Sequence, residues 1–101
     1  MAKSAIKDSI QQDQINLLKE GKKDDSSILR FALSFINKEE KDRQIELTDS
    51  EVVKVIKSLI KRNKYSYDQF TSANRPELAE KEKKEMDLLQ SYLPEVMNKN
   101  E

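Results

Sequence analysis

One glycine, Gly21, and two prolines, Pro76 and Pro94, are all the strong backbone punctuation in this chain of 101 residues. Sheets of short strands need frequent turns, and turns draw on glycine and proline, so a chain this poor in both is built from long elements and few connections. No Val/Ile/Thr-rich alternating segment bounded by turn residues occurs, so no sheet is expected. The expectation is an all-α fold: a single four-helix bundle-like domain over residues 1–94, followed by a frayed tail or linker stub at 95–101.

The helices can be placed by their apolar spacing. Over residues 4–20, Ile6, Ile10, Leu17 and Leu18 fall on one side of a 3.6-residue repeat, and Gly21 follows where a helix takes a left-handed terminal residue. A second helix is expected to open at the capping-type cluster Asp24-Asp25-Ser26-Ser27 and to end between Lys38 and Asp42. Its run Ile28, Leu29, Phe31, Ala32, Leu33, Phe35 and Ile36 is apolar on most sides, which suits a central core helix.

Thr48-Asp49-Ser50-Glu51 fits a capping box, with Leu47 and Val52 as its hydrophobic staple. The third helix then runs to about Ser72, carrying Val52, Ile56, Leu59, Ile60, Tyr67 and Phe70 on one face. Arg75 and Pro76 suit the cap and first turn of a fourth helix, with Leu78, Met86, Leu89, Tyr92 and Leu93 on its apolar face and Pro94 as its stop.

Composition removes most catalytic chemistry. There is no Cys and no His, which excludes disulfides, thiolate nucleophiles and the commonest general base and metal ligand. A chain of this length buries roughly 60–65% of its unfolded surface, which leaves a thin core and little room for a deep cleft. Ser26-Ser27 lacks the base and oxyanion hole that a tandem-serine nucleophile needs, so helix capping accounts for the pair. Glu82 and Glu85 stand at i, i+3 spacing, but interleaved lysines compete for them and one helix face offers a hard cation too few oxygens. No catalytic, cofactor or metal residues are therefore assigned. No apolar stretch approaches a membrane span, and the first residues lack a secretory pattern, so the expected location is the cytoplasm, or the mitochondrial matrix after removal of a transit peptide.

Nineteen basic and nineteen acidic side chains cancel overall, yet from Val52 to Tyr67 there is no acidic residue at all. Lys54, Lys57, Lys61 and Lys64 recur at i, i+3, i+7, i+10, one stripe of a helix displaced from its apolar face, with Arg62 and Tyr65 close by. Such a row can follow nucleic-acid phosphates while Tyr65 stacks on an unpaired base. It can equally be a solvated face whose lysines pair with acidic neighbours, which the zero net charge favours. Arg30 and Arg75 carry the same ambiguity between an anion contact and a structural pair.

Several segments taken together resemble the GatB/YqeY family, in its N-terminal helical half. They are Ile28-Leu29-Arg30, the stretch from Ile45 to Val52, Lys61-Arg62, the stretch from Ala73 to Glu82, and Leu88-Leu89-Gln90-Ser91-Tyr92-Leu93-Pro94. The fourth and fifth, with Arg-x-x-Leu-Ala-x-Lys-Glu and Tyr-Leu-Pro at the family's separation, are the more specific.

The resemblance implies an all-helical module like the tail of the B subunit of tRNA-dependent amidotransferases, which helps hold the tRNA. Glutamine hydrolysis and amide transfer, the carbon-nitrogen ligase chemistry, belong to other domains of that enzyme and match nothing in this chain. The resemblance also implies a following helical domain of about fifty residues, so a chain ending seven residues after Pro94 is expected to be one domain of a larger protein or a short stand-alone member.

The functional expectation is a non-catalytic accessory or adaptor module with tRNA as candidate partner. Its candidate RNA-binding residues are Lys54, Lys57, Lys61, Arg62, Lys64, Tyr65 and Arg75. The alternative is a helical protein-interaction module that docks on an amidotransferase subunit, or another helical protein, through exposed apolar residues such as Val53 or Val55.

Overall fold

The computed structural model describes residues 4–94 and contains four helices, α1 (Ala5–Lys19), α2 (Lys23–Arg43), α3 (Asp49–Ser72) and α4 (Pro76–Gln90), with no strand among the described residues. The all-α expectation holds. Packing divides the chain into two compact units, residues 1–55 and 56–101, with the boundary inside α3.

In the first unit α1 packs against α2. Polar ties at both ends show the pair to be antiparallel. Near the turn, the Gln14 side-chain amide donates to Ser26 Oγ at 2.9 Å, and Ser26 Oγ donates in turn to the Gln14 carbonyl at 3.1 Å. At the far end Lys7 Nζ meets Glu40 Oε1 at 2.6 Å. Between these ties lie the fully buried Ile10, Leu29 and Ile36.

Glu40 also accepts the backbone N–H of Leu47 through its other oxygen at 3.0 Å, which fixes the chain as it leaves α2. Asp49 completes the unit. Its carboxylate accepts from the Ser4 hydroxyl and, at 3.2 Å, from the Ile6 N–H, while Ser4 Oγ accepts from the Lys7 N–H at 3.0 Å. The first residue of α3 therefore caps α1 together with Ser4, placing an anion on the positive end of the α1 dipole.

The capping box forms as expected: Glu51 N–H donates to Thr48 Oγ1 at 3.3 Å, and Thr48 N–H donates to Glu51 Oε1 at 3.0 Å. Leu47 and Val52 are both fully buried, as a staple requires. Arg43 reaches Glu51 at 2.9 Å and so steadies the same carboxylate from α2.

Several expectations need correction. Ser26 is not a cap: α2 begins at Lys23, and Ser26, one turn into the helix, is buried against Gln14. A fully buried serine with its hydroxyl donated to a carbonyl is structural, whereas Ser27 is exposed. Nor is α2 buried on most sides, since Phe31 is 54% exposed on the face away from Leu29 and Leu33. The helix ends at Arg43, one residue past the expected limit. Leu18 is exposed and Tyr67 only half-buried. Val53, expected as an exposed docking residue, is 3% exposed and part of the core. The fourth helix ends at Gln90, and a tight turn through Ser91 to Leu93 precedes Pro94. Residues 95–101, the expected tail, lie outside the described residues.

In the second unit α3 and α4 are joined by Ala73–Arg75, and the side-chain amide of Asn63 on α3 donates to Glu82 at 2.8 Å and Glu85 at 2.9 Å on α4. Ile56, Leu59, Ala79, Leu89 and Leu93 are buried. As expected, Arg75 occupies the N-cap position of α4 and Pro76 follows inside the first turn, where its missing N–H costs nothing.

Helices α1, α2 and α3 all end in the same paired motif. Lys22 N–H bonds to Leu17 O and Gly21 N–H to Leu18 O; Ile45 and Gln44 repeat this on Glu40 and Lys41, and Arg75 and Asn74 on Phe70 and Thr71. Each motif needs a left-handed residue, supplied by Gly21 (φ 81°), Gln44 (φ 56°) and Asn74 (φ 61°). Glycine and asparagine tolerate that region, but glutamine is strained there.

Two stability outcomes follow. Gln44→Gly should raise the unfolding free energy by about 0.5–1 kcal/mol, while Gly21→Ala, which meets no atom within 4 Å of the new methyl, should lower it by about 1 kcal/mol from backbone strain alone. Urea unfolding followed by circular dichroism measures both, and equal signs would contradict this reading of the caps.

The second concerns acid. Ser4 and Ile6 hold the Asp49 carboxyl below its ordinary value, and the Thr48 N–H and Arg43 do so for Glu51. At Glu40 burial pushes upward, but Lys7 and the Leu47 N–H together bring it below. Carboxylates more acidic in the folded state contribute stability that is full above their unfolded values, near 3.8 for Asp and 4.5 for Glu, and is lost as pH falls through the folded ones. The urea midpoint should therefore drop between about pH 6 and about pH 3, and less steeply in Asp49→Asn.

Candidate functional site

The capping box fixes where α3 starts, and the helical period sets which face each lysine takes. At about 100° per residue, Lys54, Lys57, Lys61 and Lys64 fall within an arc of about 80°, on the side of the helix opposite Val52, Ile56 and Leu59. All four lysines are exposed. Among the described residues none of them stands in an ion pair.

Three acidic groups of α4 are engaged with other partners. Glu82 and Glu85 accept from Asn63, and Asp87 pairs with Lys83 at 3.1 Å, an exposed i, i+4 contact that also raises the Lys83 pKa. Among the described residues the pairing of the stripe with acidic neighbours does not form.

Lys57, Lys61 and Lys64 belong to the second unit and span about 10.5 Å along the helix axis; Lys54 lies two residues before the unit boundary on the same helix. Tyr65 falls about 40° around the helix from Lys61 and is 68% exposed. Asp68, one turn beyond Lys64 and also exposed, closes the positive row where the segment without acidic residues ends.

Two of the sequence candidates stand apart from this cluster. Arg62 is exposed but about 100° around the helix from Lys61, and it is engaged in an interaction within the chain. Arg75 sits past the end of α3, where its N–H donates to the Phe70 carbonyl at 2.8 Å, so its backbone serves the turn while its side chain is exposed. The structure thus brings together Lys57, Lys61, Lys64 and Tyr65, with Lys54 on the same helix, and leaves Arg62 and Arg75 outside the row.

The site has the composition of a cationic surface complementary to a polyanion: exposed ammonium groups, no carboxylate between them, and one flat ring. Among the described residues no group of three or more His, Cys, Asp or Glu side chains converges to hold a metal ion. No helix among them is long and apolar enough to cross a membrane.

Comparison with known proteins agrees with the motifs. The family model for Yqey-like proteins matches residues 7–101. An uncharacterized protein of the fission yeast Schizosaccharomyces pombe is 36% identical over 86 residues, covering 85% of this chain and 70% of the yeast protein. The match extends from α1 through α4, and the chain belongs to the Yqey-like family.

Proposed function

We propose that this chain is a non-catalytic accessory module, related to the tail of tRNA-dependent amidotransferases, that docks on tRNA through backbone phosphates. The single observation that carries the reading is the exposed row Lys57, Lys61 and Lys64 on α3, free of acidic partners among the described residues and extended by Lys54 along the same helix. Its place would be the cytoplasm or the mitochondrial matrix, where tRNA is available.

The physics is that of counterion release. Each phosphate neutralised by a lysine returns a condensed cation to solution, and the gain shrinks as salt rises. A row of three lysines meets about three phosphates, one for each ammonium group. Straight phosphate contact carries no base sequence, so the module positions RNA and does not read it. Nothing in this mechanism requires a reacting group, and the amide-transfer chemistry of the related enzymes resides in domains that this chain does not resemble.

The test is fluorescence anisotropy of labelled bulk tRNA titrated with the protein at about 50 and 200 mM salt. Three phosphate contacts predict an affinity loss of about 20- to 40-fold across that range. Lys57→Glu with Lys61→Glu should weaken binding at least about tenfold at the lower salt and flatten the salt slope by about two contacts. Both positions are exposed, so the double variant should keep the helical circular dichroism of the parent. Salt-independent affinity, or unchanged binding by the double variant, would overturn the proposal.

A further inference from the structure

Tyr65 has the most exposed large apolar side chain among the described residues, at 68% against 54% for Phe31. An aromatic ring this exposed contributes little to the core. It stands four residues after Lys61 and directly after Lys64, on the edge of the cationic row and inside the segment that lacks acidic residues. The ring therefore lies beside the point where the row would hold a phosphate, within reach of the base attached to it.

We infer that the α3 surface takes RNA presenting an unpaired nucleotide beside the phosphates it grips (a loop, a single-stranded segment or a terminus), with the base stacked on Tyr65, in preference to continuous duplex. This rests on the phosphate-docking reading above and narrows its substrate. The reason is geometric. In a duplex both faces of each base are covered by neighbouring base pairs, so a ring next to the backbone finds no open face. An unpaired base can swing out and offer one. Stacking of a base on an aromatic side chain changes affinity about 5- to 150-fold and tolerates any base, since each has a π-face. The phenol hydroxyl plays no part in stacking, so phenylalanine should replace tyrosine here.

The experiment compares a labelled 12-nucleotide RNA without self-complementarity and the 12-base-pair duplex of the same sequence, each titrated with the full chain, Tyr65→Leu and Tyr65→Phe. Leucine keeps the helix and the apolar bulk but removes the flat ring. The single strand should bind at least about fivefold tighter than the duplex, Tyr65→Leu should lose at least about fivefold on the single strand and nothing on the duplex, and Tyr65→Phe should match the parent. Equal affinity for both forms, or a Tyr65→Leu effect that is absent or the same on both, overturns the unpaired-base inference and leaves phosphate docking standing. Binding of neither RNA at tens of micromolar protein overturns the docking reading itself, and the inference with it.

Discussion

The Asp49 carboxylate is where the first unit closes on itself. It is the first residue of α3, yet it accepts from Ser4 and Ile6 at the start of α1, more than forty residues away in sequence. One anion thereby satisfies a helix N-terminus and fixes where α3 begins relative to α1. Glu40 makes the complementary tie, from α2 to Lys7 on α1 and to the Leu47 backbone. With these groups in place the capping box starts α3, and along that helix the 3.6-residue period sets the apolar side apart from the one that carries lysines.

How much of this was legible in the sequence follows from the range of each interaction. The Thr48–Glu51 box, the Gly21 terminus and the Arg75-Pro76 helix start are local, involving residues a few positions apart, and all form as read. The left-handed Gln44 was not legible, because glutamine carries no preference for that conformation; it stands where the chain leaves α2 toward Leu47, whose N–H the Glu40 carboxylate holds. Ser26 was misread for the same kind of reason. Its local neighbours are capping residues, but its partner is Gln14 on another helix. Phe31 is exposed where a core position was expected, since an apolar run of seven residues cannot say which of its faces meets the core; Val53, on α3, is buried where an exposed position was expected.

The lysine row was legible as a pattern and ambiguous as a function. Spacing placed Lys54, Lys57, Lys61 and Lys64 on one stripe, but whether carboxylates from elsewhere reach them is a tertiary question. The structure points Glu82 and Glu85 at Asn63 and pairs Asp87 with Lys83, so these three carboxylates of α4 are engaged away from the row. Zero net charge therefore coexists with a locally cationic face. Arg62 and Arg75, which share the residue type but not the register, show that basic character alone does not define the surface.

The most direct measurement of the account's central claim is a residue-resolved one: nitrogen-15 amide spectra of the full chain, recorded while unlabelled tRNA is added. The perturbed amides should cluster on α3 around Lys57, Lys61, Lys64 and Tyr65, with α1 and the Gln14–Ser26 contact unmoved. Perturbations centred on α1 or α2, with α3 silent, would contradict it.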